Sequence, residues 1–357
     1  MLVFAGFGVS AGFMSIVKEP IVAVVIPSYR VRNHVLSVLE RISSEVALIF
    51  VVDDACPEGS GDHVLAGCQD PRVTVLVHQL NQGVGGAVMT GYRYALAAGA
   101  DVVVKLDGDG QMDPALISQF VAPILLGRAD YVKGNRFYNI EDVRSMPAVR
   151  LIGNAGLSFM TKLSSGYWNI FDPTNGYTAI SATVLSYLPM HKIKRRYFFE
   201  SDLLFRLGTI QACVFDLPMT AIYADEDSGM NVKRIFFPFL FGNVGNFCRR
   251  VFYNYFLRGF SVASLELLAG VFFLLFGTAF GLWGWAESHA TGQTATTGTV
   301  MLAALPIILG VQLLLSFLAF DIAAVPSNAI TGSLPLPPRW RTAADPLAVV
   351  RDRKSVV

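Results

Sequence analysis

Two apolar runs near the C-terminus limit what this chain can fold into. Ser261 to Trp285 carries one charge, Glu266, and Thr299 to Val325 carries one, Asp321, near its end. Each run is longer than the ~20 residues needed to cross a hydrocarbon core. Neither has the polar face of a helix lying on a soluble core. Both predict transmembrane helices, and much of the excess in the 53% hydrophobic composition lies in this part of the chain. Lys233, Arg234, Arg249, Arg250 and Arg258 precede the first run. Arg339, Arg341, Arg351, Arg353 and Lys354 follow the second. The connecting stretch, 286–298, has no Lys or Arg. The positive-inside rule then predicts a multi-pass protein of the cell membrane with both chain ends in the cytoplasm.

The remaining composition excludes some function classes. Net charge is +1, so no general affinity for nucleic acid is expected. Cys56, Cys68, Cys213 and Cys248 have no metal-ligand spacing and read as reduced packing residues. Residues 1–20 form an apolar, glycine-rich extension without a basic n-region, a poor match to a signal peptide. From Lys233 to Arg258, phenylalanines and tyrosines alternate with basic residues. That pattern predicts amphipathic helices over 231–260 lying at the membrane surface among the lipids. Pro335, Pro337 and Pro338 mark 326–357 as a tail that does not fold on its own. The spans occupy 261–325, which leaves 21–230 for a soluble domain.

Within that domain, Val102-Val103-Val104-Lys105-Leu106 ends in Asp107-Gly108-Asp109-Gly110-Gln111. A run dominated by β-branched residues, without alternation, reads as a buried parallel strand. The carboxylates then lie at its C-terminal end, where open α/β sheets place their ligands. Further strands are predicted at Ile21–Pro27, Ala47–Val52 and Val73–Val77, with a helix from Arg32 to Ser43 and another running to Ala98. Strands alternating with helices indicate a parallel-rich α/β sheet. The loop Asn81-Gln82-Gly83-Val84-Gly85-Gly86 is neither a dinucleotide fingerprint nor a P-loop. The helix it opens can still help hold a phosphate.

The motifs Val25-Ile26-Pro27-Ser28-Tyr29, Val51-Val52-Asp53-Asp54, Asn81-Gln82-Gly83 and Asp107-Gly108-Asp109 follow in that order. The chain resembles a family 2 glycosyltransferase with the GT-A nucleotide-diphospho-sugar fold. Lys133-Gly134-Asn135-Arg136, Asp172-Pro173-Thr174-Asn175-Gly176-Tyr177 and Phe198-Phe199-Glu200-Ser201-Asp202 are similar to its polyprenyl-phosphate branch, which contains the dolichyl-phosphate mannose synthases. The resemblance covers roughly 21–225, and the two-span C-terminus suits that branch.

The resemblance implies roles. Pro27, Tyr29, Asp53, Asp54, Gly83 and Asp107 would line the nucleotide. Asp107, Asp109 and Gln111 would hold Mg2+ or Mn2+. Asp109, Arg136 and Asp172 would serve catalysis, and Asn175, Glu200, Asp202, Arg195, Arg196 and Lys233 the sugar and acceptor. The partners implied are a nucleotide-diphospho-sugar donor, a polyprenyl phosphate acceptor and membrane lipids; a homo-oligomer is compatible. The single displacement of that family implies inversion at the sugar. Two positions depart from the family: Arg30 and Arg32 stand where an acid is frequent, and Val84 where a Lys is frequent. Each role has a plainer alternative. Asp53 and Asp54 are turn-capping residue types, Arg136 can be a surface ion pair, and Glu200 and Asp202 suit a solvated helix start, the favoured reading for Glu200. No histidine lies near the acid motifs in the sequence. A processive polysaccharide synthase would carry a Gln-x-x-Arg-Trp motif, which is absent. A non-catalytic scaffold would have no use for the intact acids.

Overall fold

The computed structural model describes residues 19–138, 148–220, 232–335 and 348–351. The expectations for residues 1–18 lie outside these. Four strands form the heart of the sheet: β1 (Val22–Ser28), β2 (Leu48–Asp53), β3 (Val73–His78) and β4 (Val102–Lys105). All of their mutual pairings are parallel. Alternate residues face opposite layers. Ala23, Val25 and Val103 join one buried cluster, while Val22, Val24, Val102 and Val104 join the other. Burial on both faces explains why these strands read as unbroken apolar runs. The predicted helix over Arg32–Ser43 contracts to α1 (Val35–Glu40), after Arg30 takes a positive φ of 59°. The segments after β2 and β3 form α2 (Ser60–Gly67) and α3 (Val84–Ala97).

The spatial order is β7-β5-β6-β4-β1-β2-β3-β8. The chain thus runs outward from β1 to β3, then returns to place β4 on the other side of β1. Loops leaving β1 and β4 diverge there and open a crevice at their carboxyl ends. After α4 (Ile117–Leu125) come β5 (Tyr131–Asn135), α5 (Ala148–Ser165), β6 (Thr178–Ser181), α6 (Ala182–Tyr187), α7 (Phe199–Thr209) and β7 (Val214–Pro218). The sheet is mixed in this half: β6 is antiparallel to both β4 and β5. The segment before β6 crosses the carboxyl ends of the central strands, so β6 must enter the sheet from that side.

The basic, aromatic segment is one long helix, α8 (Val232–Phe252), closed by a π-helical turn over Tyr253–Arg258. The two apolar runs form α9 (Val262–Thr291) and α10 (Thr297–Ala323), with mean hydropathy 2.0 and 2.3 and only 11% of each apolar window buried. Both are long and apolar enough to span a membrane, and their exposed apolar faces separate them from core helices of a soluble domain. They extend further than the sequence suggested, leaving a link of 292–296. Small residues let them approach: a Cβ at Gly277 would lie 2.8 Å from Ala303 O, and one at Gly310 2.7 Å from Leu274 N.

The hairpin is tied to the soluble domain by a buried knot. Asp321 of α10 accepts from Arg250 Nη1 (2.6 Å) and Nη2 (2.9 Å), Tyr255 OH (2.6 Å) and Trp168 Nε1 (2.8 Å). Arg250 also donates to Leu163 O at the end of α5. The tail beyond α10 docks rather than folding alone. Ile330 and Thr331 donate backbone N–H groups to Asp130, and Tyr187 OH donates to Pro335 O. Then β8 (Ala348–Arg351) adds antiparallel to the edge of β3.

Candidate active site

The acid pair lies in the crevice between β1 and β4. Asp109 Oδ1 accepts from Gln111 N at 3.0 Å, which folds the turn so that Asp109 and Gln111 belong to one loop. Gly110 holds a φ of +79° there, which a side chain would strain. Asp113 is structural: it caps the 3-10 turn at Pro114–Leu116 and pairs with Arg41 at 2.6 Å. Two carboxylates and a carboxamide are the hard oxygen donors that Mg2+ or Mn2+ prefers. Among the described residues no group of three or more His, Cys, Asp or Glu gathers into a metal-holding cluster. The donor set therefore fits an ion that completes its shell with phosphate oxygens and water. A histidine does reach this loop through the fold: the Cβ and Nδ1 of His34 lie 3.8 and 3.9 Å from where a Cβ at Gly110 would be.

Two buried lysines stand behind the acids, and sequence reasoning gave neither a role. Lys105 and Lys133 pair in register with Thr178 from opposite sides of β6. They donate to consecutive carbonyls, Lys133 to Asn175 O and Lys105 to Gly176 O. This explains the Asp172–Tyr177 motif, whose backbone is pinned over the strand ends. It also requires glycine at 176, where a Cβ would strike Lys105 Nζ and Asp107 Oδ2. Lys105 Nζ lies 2.8 Å from Asp107 Oδ1 and 3.7 Å from Glu200 Oε1. Burial alone would lower the Lys105 pKa, but Asp107 and Glu200 outweigh it and the net shift is upward. Lys133 is pulled down to about 8 by burial, against the upward pull of Glu200 and Asp172. The signal was present in the sequence: a lysine inside an apolar strand needs a buried acid as partner.

Glu200 is therefore not a solvated helix start. Its side chain is 15% exposed and faces Lys105. Asp202, two residues on, points to a different face of α7 because such residues do not share one. Its oxygens accept from Lys194 N, Arg206 Nε and, on α8, Asn246 Nδ2. Asp202 joins elements and is not brought to the acid pair.

At the end of β2, Asp53 accepts from Cys56 N (2.7 Å) and Gly61 N (2.6 Å) and so shapes the loop that follows. Asp54 is committed elsewhere. It accepts from His78 Nδ1 (2.7 Å), Gln82 N (2.8 Å) and Gly83 N (2.7 Å), holding the glycine loop in place instead of facing the crevice. Gly83, at φ 85° and ψ 166°, occupies a region open essentially to glycine alone. A Cβ there would lie 2.7 Å from Arg195 O. Arg195 and Arg196 thus gather over this loop, Arg195 Nη1 donating to Gln82 Oε1 at 2.9 Å. Pro27 and Ser28 are the last two residues of β1, and Tyr29 is exposed under the Arg30 guanidinium at 5.6 Å.

Arg136 is an ion-pair residue, but its partner is wholly buried. Arg136 Nε and Nη2 grip Asp172 Oδ2 and Oδ1 at 2.8 and 3.2 Å. The fork fixes the guanidinium plane, and Asp172 acts through it. Asn175 is also buried, its Oδ1 accepting from Tyr177 N. Alongside, Asn135 Nδ2 donates to Asp216 Oδ2 at 2.7 Å. Burial raises Asp216 to about 6, opposed by that hydrogen bond. Lys233 falls in the first turn of α8, and its side chain lies outside the described residues.

A strand-end acid pair at a topological switch, with a glycine loop and a fixed arginine, is chemically suited to a phosphate-bearing ligand. The sequence model described as Glycosyl transferase family 2 matches residues 23–188, a stretch that carries Asp107, Asp109 and Asp172. The chain belongs to glycosyl transferase family 2. It is 30% identical over 205 residues to an undecaprenyl-phosphate mannosyltransferase of Micrococcus luteus, covering 56% of this chain and 83% of that protein. It is 28% identical over 250 residues to a UDP-N-acetylglucosamine–dolichyl-phosphate N-acetylglucosaminyltransferase of Methanococcus voltae, covering 64% of this chain and 98% of the relative. Among solved structures, a glucosyl-3-phosphoglycerate synthase of Mycobacterium tuberculosis, with Mn2+, UDP-glucose and phosphoglyceric acid bound, superposes with a TM-score of 0.48. That match has 19% identity and covers 65% of this chain and 79% of that one.

Proposed function

We propose that this protein moves one sugar from a nucleotide diphosphate to a polyprenyl phosphate at the cytoplasmic face of a cell membrane. The observation that carries this reading is the strand-end acid pair set in a domain knotted to two membrane-length helices through Arg250 and Asp321. A relative named for transfer to undecaprenyl phosphate and one named for transfer to dolichyl phosphate support the acceptor class.

A lipid phosphate oxygen attacks the anomeric carbon from the side opposite the nucleotide. The new C–O bond forms as the bond to the diphosphate breaks, and the centre inverts. The attacking phosphate is largely ionised near neutral pH, since the second pKa of such esters is about 6, and so needs no strong general base. Asp107, Asp109 and Gln111 would hold Mg2+ or Mn2+, which supplies positive charge to the departing diphosphate. Arg136, held by buried Asp172, adds a fixed cation. Asp53 orders the loop on which the base would rest, near Pro27 and Tyr29. Arg195 and Arg196 offer cationic charge to a phosphate at the mouth of the crevice. The aromatic and basic residues of α8 suit the headgroup level, which turns the crevice toward the acceptor.

The test is turnover by the full chain in lipid with a panel of radiolabelled nucleotide sugars and undecaprenyl or dolichyl phosphate. A single-sugar phosphoprenol product is expected. Formation of a polymer, or no lipid-linked product with any donor, would refute the reading.

A further inference from the structure

Lys105 places a positive charge at the root of the acid pair, and the reaction above has no step for it. Its Nζ is held three ways: 2.8 Å from Asp107 Oδ1, 3.1 Å from Gly176 O and 3.7 Å from Glu200 Oε1. The side chain is 2% exposed, so the contact is part of the folded core and not a surface accident. Glu200 comes from α7, which follows Asp107 by over ninety positions in the sequence. The lysine is what joins these two acids.

An ammonium held in this way does part of what a bound metal ion does. It occupies one oxygen of Asp107 and offsets one of the charges that would otherwise attract a divalent cation. Without it, Asp107 would present both oxygens and its full charge in the loop of Asp109 and Gln111, with the charge of Glu200 behind it. A freed oxygen on Asp107 and the added negative charge would raise the affinity of the two hard donors for a divalent cation.

We propose that Lys105 is an internal counter-cation that stops the acid pair from retaining a divalent ion by itself. Asp107, Asp109 and Gln111 would then hold the ion tightly only when a nucleotide diphosphate supplies the remaining ligands. This rests on the assignment of Asp107, Asp109 and Gln111 as metal ligands. Lys105 acts through Asp107 and is a positioning residue. The arrangement suits an enzyme that must release a metal-bound diphosphate on each turnover, because a tightly retained ion would hold the product too.

The test uses the full-length protein in detergent micelles. Mn2+ binding is followed by the loss of its free electron paramagnetic resonance signal, with Mn2+ alone and with Mn2+ plus UDP or GDP. Wild type should bind Mn2+ at least ~10-fold more tightly when one of the nucleotides is present, since the diphosphate supplies the missing ligands. Lys105→Met and Lys105→Gln should each bind Mn2+ alone at least ~10-fold more tightly than wild type, because a like charge has left the site. Adding Glu200→Gln to Lys105→Gln should return the affinity toward wild type. A merely structural lysine would lower the thermal midpoint of the variants and leave their affinity for Mn2+ alone unchanged; that result overturns the proposal. Wild type holding Mn2+ equally well with and without nucleotide overturns it too, and needs no variant to fold. If wild type binds no Mn2+ with either nucleotide, and Asp109→Asn behaves identically, the metal assignment itself fails.

Discussion

At the scale of single residues, the site is a set of charges whose partners decide their roles. Asp109 lies in the loop where a hard ion and a diphosphate would meet. Asp109→Asn should fold with an unchanged thermal midpoint and lose turnover by at least ~100-fold, as removal of an electrostatic stabiliser does. Near-normal turnover in saturating Mg2+ or Mn2+ would refute its role. Asp216 makes a different forecast. Its carboxyl titrates at about 6 in the fold against an ordinary value of 3.8. Between those values the folded form holds the proton and the unfolded form has lost it. Stability therefore falls as pH rises through that window, and the cost is full above pH 6. Asp216→Asn should flatten the dependence of the thermal midpoint between pH 4 and 6. Above that window it should stabilise by on the order of 1 kcal/mol, a figure reduced for the group's partial exposure. An unaltered pH profile would show that the carboxyl titrates normally. Of the residues singled out from the sequence, those whose partners lie in other segments were the easiest to misjudge. Asp54 and Asp202 look like ligand groups in one dimension, yet Asp54 is filled by Gln82 and Gly83, and Asp202 by Asn246 of α8 and by Lys194.

At the scale of elements, what matters is how α8 and α10 are joined. Arg250 and Asp321 are both 3% exposed and share two hydrogen bonds, with Tyr255 and Trp168 completing the acid's shell. Taking away one charge leaves the other buried without compensation, which costs about 3 kcal/mol or more. Asp321→Asn should lower the thermal midpoint of the detergent-solubilised protein by several degrees, while Asp321→Glu should keep most of it. Equal midpoints for wild type and Asp321→Asn would mean that the knot does not hold the hairpin. The same scale accounts for the edge of the sheet. A bare β3 would offer unpaired N–H and C=O groups to other chains, and β8 covers them.

At the scale of the whole molecule, α9 and α10 form a hairpin whose two ends both return to the soluble domain. The knot holds one side, and the contacts of Ile330, Thr331 and β8 hold the tail. A strand that joins the same sheet as β3 requires the end of α10 to lie on the side of that domain. The proposed orientation, which rests on the positive-inside rule, puts that side in the cytoplasm. A cysteine at exposed Ala295, between the helices, should react with an impermeant maleimide in intact cells. Reaction only after permeabilisation would reverse the orientation.

The order of strands and acids, and the two membrane-length helices, were legible because each rests on a local pattern. An apolar strand buried on both faces shows no alternation, and a helix in lipid shows no polar stripe. From Val102 to Asp109, neighbours in sequence are neighbours in space, so composition alone marks the site. The partners of Lys105 and Arg250 were not legible, nor was the reversal of β6. Glu200 reaches Lys105 across 95 positions, and Asp321 reaches Arg250 across 71. A buried charge announces only that it needs a counter-charge; which of the chain's acids provides it depends on how sheet, α8 and hairpin pack. That packing turned Glu200 toward the acid pair and Asp202 toward α8, although the two are separated by a single residue.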